Sequence, residues 1–238
     1  MEICFITIFP DMMSGPLTSG MLGIAATKGA AEYRVVDLRD FAVDKHGSVD
    51  DYPYGGGPGM VMMAPPVVEA VESVRTADEA GEVPVILMSP AGRRFDQSIA
   101  VEMSRQDKIV LVCGRYKGID ERVEKLVITD TLSIGDYILS GGELPALVVA
   151  DAVIRHLPGV LGDERSRDTD SFSCDREFLL DAAYYTRPTE YRGLKVPETL
   201  QSGNHAKIDE WREESALERT KRLRPDLLEK QRKGPRER

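Results

Sequence analysis

Apolar residues come in short unbroken runs through the first two-thirds of the chain and thin to a helical spacing in the last third. The runs at 2–8 (EICFITI), 34–38 (RVVDL), 83–88 (VPVILM), 108–113 (KIVLVC) and about 126–134 (LVITDTLSI) predict strands. Between them, helical segments are expected at about 19–32, 65–78, 95–106 and 119–125. Strands alternating with helices imply a parallel sheet covered on both faces, hence an α/β fold. VPVILM and KIVLVC are apolar almost throughout, as strands buried on both sides must be. The stretch Leu144–Ile154 is apolar nearly all round and predicts a buried helix, with Pro145 in its first turn, where a missing N–H costs nothing. Asp151 and Arg155 lie four residues apart on it. Two explanations stand for these charges: one internal ion pair, or an Arg155 at the helix end that faces a reaction site.

Beyond Pro158 the pattern changes. Residues 159–177 hold few apolar side chains and no period, which places a linker at 161–177 between a domain at 1–160 and a helical domain at 178–238. In the latter, Asn204 can cap a helix carrying Ile208, Trp211 and Leu217 on one side, and Pro225-Asp226 opens a last short helix.

At 42% hydrophobic and 30% charged, the 238 residues describe an ordinary globular protein with room for one large core or two domains. No apolar run of about 18 residues predicts a membrane span, and the MEICFITIFPDMM start reads as a core strand. Cys4, Cys113 and Cys174 are few and far apart, which argues for a reducing, cytoplasmic setting and against a zinc site or disulfide frame. The net charge of −9 is unevenly spread. Residues 219–238 carry nine Lys/Arg against three Asp/Glu, leaving 22 basic and 37 acidic groups on the other 218. A basic C-terminal arm on an acidic body is either a solvated tail or a phosphate contact.

Three strands are followed by glycine-bearing loops: SPAGRRF (89–95), CGRYKGID (113–120) and IGDYILSGGELP (134–145). In open α/β sheets, ligands sit beyond the carboxyl ends of the strands, so three such loops can form one pocket lined by main-chain groups. GGGPGM (55–60) fits neither the dinucleotide fingerprint nor a P-loop, so a bound nucleoside needs another geometry.

Together with YGGGPGM (54–60), ADAVIRHLPGVLG (150–162), DSF (170–172), YTRP (185–188) and LQSGNHAKIDEWR (200–212), these loops resemble, in order and spacing, the bacterial tRNA (guanine-N1)-methyltransferases. Each motif alone is weak; the ordered set covers nearly the whole chain. The resemblance implies a trefoil-knotted catalytic domain of the SPOUT class, a small α-helical C-terminal domain that binds tRNA, and a homodimer with pockets built from two chains. It further implies S-adenosylmethionine as methyl donor. The substrate it implies is the guanosine 3′-adjacent to the anticodon, reached in the anticodon stem-loop by extruding the base.

Carried over by motif, the cofactor residues are Ser89, Pro90, Gly114, Tyr116, Gly118, Ile134, Gly135, Asp136, Tyr137, Ile138, Leu139, Gly141, Gly142 and Pro145. Asp170 of DSF takes the family's general-base position, removing the guanine N1 proton, and Arg155 faces the charge that gathers on O6. Where the family commonly has Glu, this chain has Lys117. A cation cannot ligate Mg²⁺ and can pair with the cofactor carboxylate instead, which leaves magnesium dependence open. Two alternatives stand beside this function: a 2′-O-ribose RNA methyltransferase of the same fold, and a non-catalytic RNA-binding protein.

Overall fold

The computed structural model describes residues 1–76, 79, 81–162, 169–173 and 179–232. The chain divides into two compact units, Met1–Gly162 and Asp163–Arg238. The first carries strands β1 (Glu2–Thr7), β2 (Glu32–Asp37), β3 (Asp50–Asp51), β4 (Val61–Met62), β5 (Val85–Arg94), β6 (Lys108–Cys113) and β7 (Asp130–Ser133). Five of them form one parallel sheet in the order β2-β1-β6-β5-β7, while β3 and β4 pair antiparallel apart from it. Its helices are α1 (Asp11–Leu17), α2 (Gly20–Thr27), α3 (Ala64–Val74), α4 (Gln97–Met103), α5 (Glu121–Leu126) and α6 (Glu143–Ile154).

Side chains alternate across a strand, so each unbroken apolar run feeds two cores at once. Ile3, Phe5, Ile109, Leu111 and Cys113 pack with Met13, Leu22, Ile99, Val149 and Val153 of α1, α2, α4 and α6. Their neighbours Cys4, Ile6, Val110 and Val112 pack on the other face with Val67, Val71 and Val74 of α3 and Val123 of α5. Among the described residues no helix is long and apolar enough to cross a membrane.

The elements depart from the expected pattern at four places. Helix α1 forms despite Gly15 and Pro16 because Met13 and Leu17, four apart, both bury; packing overrides propensity there. Strand β5 does not end at Met88 but runs on through SPAGRR, with Leu132 of β7 opposite both Met88 and Arg93. A bulge of this kind admits the extra residues. Gly92 is required there, since a Cβ would lie 2.5 Å from the Thr131 and Leu132 backbone. Strand β7 is correspondingly short, 130–133 rather than 126–134, because Leu126 still belongs to α5. Helix α6, finally, is open on one side: Leu144 (53% exposed), Val148 (48%) and Asp151 share a face, while the rest is buried apart from the half-buried Ala152. Asp151 is therefore exposed, so of the two explanations for the Asp151 and Arg155 charges a pair buried inside the core is not the one the fold offers.

The second unit holds a hairpin of β8 (Glu190–Tyr191) and β9 (Leu194–Lys195), then α7 (Glu198–Gln201), α8 (His205–Leu223) and α9 (Pro225–Arg232). Asn204 caps α8 by accepting from the Lys207 N–H. The inward face runs through Ile208, Trp211, Ala216 and Thr220. Thr220 Oγ1 accepts from the Leu180 N–H (3.0 Å) and donates to the Ala216 carbonyl (2.7 Å). Leu217, expected on that face, is exposed; nine residues from Ile208, it falls on the opposite side of a 3.6-residue helix. Within the described residues, to Arg232, the basic stretch from Arg219 is helical. Residues 219–223 are the last turn of α8, and α9 buries Leu227.

Candidate active site

A cavity of about 550 Å³ opens at the carboxyl ends of β6 and β7, beside the middle of β5. Ser89 and Pro90 line it from β5; Gly114, Tyr116 and Gly118 from the loop after β6. Ile134, Gly135, Tyr137, Ile138 and Leu139 line it from the loop after β7, and Gly141, Gly142 and Pro145 from the entry to α6. The fold thus brings thirteen of the fourteen expected cofactor residues to one cleft. Asp136 is the exception: it is exposed and does not line the cavity. Gly135 has a positive φ of 154° and lies under the Tyr137 ring, where a Cβ would sit 2.5 Å from Cε1.

The walls are main chain pressed on main chain. The Gly142 N–H donates to the Gly114 carbonyl at 2.8 Å, and Arg115 and Gly141 form an isolated antiparallel bridge. A Cβ on Gly142 would lie 2.8 Å from Cys113 Cα and 2.9 Å from Gly114 N, so only glycine permits this approach. Ser133 Oγ holds the β7 exit, donating to the Gly135 carbonyl and accepting its N–H. On the other side, the Lys117 N–H donates to the Met60 carbonyl, and the Met62 N–H to that of Gly118, each at 3.0 Å. These bonds dock the β3–β4 hairpin, and with it the GGGPGM loop, beside the cavity. Lys117 lines the cavity, and its side chain runs against Gly59.

Titration is shifted at the edges of this site. Burial, then the neighbouring Asp50 carboxylate, pushes the Tyr116 hydroxyl up. The side-chain and backbone donors of Arg122 hold the Asp120 carboxyl down at about 2, so it stays ionised as the cap of α5. Burial raises the Cys113 thiol well above its ordinary value, so this cysteine at the edge of the cleft is not a nucleophile. Burial and then Glu2 push Cys4 up to about 12. Among the described residues no group of three or more His, Cys, Asp or Glu is placed to hold a metal ion.

Behind the cavity lies a charged group that the sequence reading did not single out. Glu143, the first residue of α6, is 0% exposed. It accepts from Thr7 Oγ1 (2.8 Å) and from Arg115 Nε (2.9 and 3.2 Å to its two oxygens). In sequence it is an acid after two glycines, like several others, and only its burial distinguishes it.

The two expected catalytic residues sit in different units. Arg155 follows the last turn of α6 and is half-buried. Asp170 is half-buried in the second unit, on a turn closed by the Ser173 N–H to the Asp170 carbonyl (3.2 Å). The Phe172 N–H donates to the Leu179 carbonyl, the Asp181 N–H to Ser171 Oγ, and Arg224 lies over the Phe172 ring. Phe172 has a φ of +67°, a conformation that a bulky residue keeps only where its surroundings enforce it. Of the expected linker, 163–168 and 174–177 lie outside the described residues, as does Cys174.

Comparison with known proteins bears on this geometry. Residues 1–230 match the family model described as tRNA (Guanine-1)-methyltransferase TrmD. The chain is 50% identical over 228 residues to a tRNA (guanine-N(1)-)-methyltransferase of Bacillus subtilis (strain 168), covering 96% of this chain and 92% of that protein. A protein of the same name from Bacillus licheniformis is 51% identical over 229 residues, 96% of this chain and 93% of its own. Another, from Moorella thermoacetica, is 50% identical over 238 residues, 100% of this chain and 94% of its own.

Proposed function

The chain belongs to the tRNA (guanine-1)-methyltransferase family, and from that premise we propose that it transfers a methyl group from S-adenosylmethionine to guanine N1 in tRNA, at the guanosine 3′-adjacent to the anticodon. The observation that carries the proposal is the glycine-walled cleft at the carboxyl edge of the sheet. Its donor set suits an adenosine. Ile134 and Leu139 offer apolar faces for a flat heterocycle, and Gly114, Gly118 and Gly135 line the cavity with main chain that no side chain covers. Lys117 and Glu124 at the same cleft match the carboxylate and ammonium of an amino-acid tail.

When bound, the donor supplies an electrophilic methyl group on a sulfonium and departs as a thioether. Asp170 takes the N1 proton as the ring lone pair forms the new C–N bond. Arg155 donates to the guanine O6, where negative charge gathers as that proton leaves. The assignment of these two roles rests on their motifs, DSF and IRH. The second unit binds the anticodon stem-loop, and a homodimer in the reducing cytoplasm supplies the complete pocket. The knotted threading of the SPOUT class belongs to the same proposal. With Lys117 at the cleft, turnover does not depend on Mg²⁺ held at that position; titration against EDTA and Mg²⁺ tests this directly.

The test is methyl transfer from radiolabelled donor to an unmodified tRNA transcript, beside one whose target guanine is replaced by adenine. Label only in the first, recovered as N1-methylguanosine, is the expected result. A 2′-O-methyl product supports the ribose alternative, and tRNA binding without transfer supports the non-catalytic one. The relatives reported above are named for guanine N1, which favours the base over the ribose.

A further inference from the structure

We propose that Arg115 and Glu143 are a positioning pair, which sets the spacing of the two glycine loops and thereby the shape of the donor cleft; this rests on the donor reading above. The pair joins three elements. Thr7 at the end of β1 donates to Glu143, and the Thr7 hydroxyl in turn accepts the Phe9 N–H at 2.9 Å. Arg115, in the loop after β6, donates to both Glu143 oxygens through Nε, and its guanidinium lies over the Phe9 ring at 4.4 Å. Arg115 lines the cavity while Glu143 is sealed behind it. Gly141 is interlocked with both: a Cβ there would run into Arg115 Nε and fall 2.5 Å from Glu143 Oε2. The ion pair thus occupies the space that a side chain on the loop would fill. The Gly142–Gly114 hydrogen bond closes the same junction from the other side.

Stability is a poor explanation for such a pair. Taking both charges out of water offsets most of their attraction, and an apolar pair of similar size stabilises a core at least as well. What apolar side chains cannot do is fix two loops by directional bonds. Arg115 meets one carboxylate, one aromatic face and the Met12 sulfur (3.2 Å), which leaves its guanidinium a single seat.

Stability and positioning separate in a double variant. Donor affinity by calorimetry, melting temperature and the KM/kcat split are measured for the wild type, Arg115→Met, Glu143→Gln and Arg115→Met/Glu143→Leu. Either single change leaves a buried partner uncompensated, so melting temperature and donor affinity fall together. The double variant is expected to recover the melting temperature while donor Kd stays raised by about ten- to a hundredfold, with KM rising more than kcat falls. Should it not fold, Arg115→Lys carries the same test, keeping the charge but not the planar donor. Recovery of both Kd and melting temperature in the double variant, or a wild-type Kd in Arg115→Lys, overturns the positioning role alone. A wild type that binds no donor sinks the functional reading and this proposal with it.

Discussion

The cleft depends on how closely its two glycine loops approach, and Gly142→Ala tests that with one methyl group. The Gly142 φ of −82° suits any residue, so the substitution carries no backbone strain and acts by steric contact alone. The new Cβ would meet Cys113 Cα at 2.8 Å, Gly114 N at 2.9 Å and Cys113 C at 3.1 Å, all backbone atoms that cannot swing away. Relieving the shortest contact moves the loops apart by roughly 0.6 Å, enough to weaken the 2.8 Å Gly142–Gly114 hydrogen bond. Overpacking costs about 1–3 kcal/mol and the hydrogen bond about 1 more, offset by up to about 1 kcal/mol from the lost flexibility of the unfolded glycine. A net loss of about 1–4 kcal/mol lowers the melting temperature by roughly 2–16 °C for a domain of this size. Donor affinity should drop at least tenfold or so, because the displaced wall is the binding surface. Gly15→Ala in α1 is the matched control. Nothing lies within 4 Å of its Cβ, so it should be neutral or stabilise by up to about 1 kcal/mol. If Gly142→Ala melts and binds donor like the wild type, the loops are not held by close approach and the account of the cleft is wrong.

Further outcomes follow from the same structure. Asp170→Ala should abolish methyl transfer and leave donor affinity near wild type, while Arg155→Ala should cut turnover; retained turnover in either removes that residue from the chemistry. Lys221 and Arg222 are exposed on the last turn of α8. Their joint change to Gln should lower the slope of log K for tRNA against log salt by about 1.4–1.8, and an unchanged slope rules out phosphate contact there. Truncation from Arg219 would not test this cleanly, since it removes the buried Thr220 and Leu227. Cys4 ionises at 9.0 when unfolded and about 12 when folded, because burial and Glu2 favour the thiol. Its raised value means that stability is fully present below pH 9 and lost as pH rises towards 12, at up to about 1.4 kcal/mol per pH unit. Alkaline denaturation curves for the wild type and Cys4→Ala should diverge above pH 9, and parallel curves count against the buried thiol.

Much of the architecture is legible without coordinates. The runs VPVILM and KIVLVC announce strands buried on both faces, and they are neighbours in the parallel sheet. Asn204 announces the start of α8. The glycine loops announce a site because close approach and main-chain binding need residues without side chains. Period and composition say nothing about partners distant in sequence, and there the tertiary structure decides. SPAGRR looks like a loop, yet pairing with β7 draws it into β5. Leu144 and Val148 look like core, yet their side of α6 lies open. Glu143 looks like any surface acid, but it is buried because Thr7, 136 residues away, and Arg115 converge on it with donors. Local pattern reports how a segment wants to fold, since backbone conformation and apolar spacing are local quantities. Whether a charge is buried or a cleft has walls depends on which distant atoms arrive beside it, and only the folded chain brings them there.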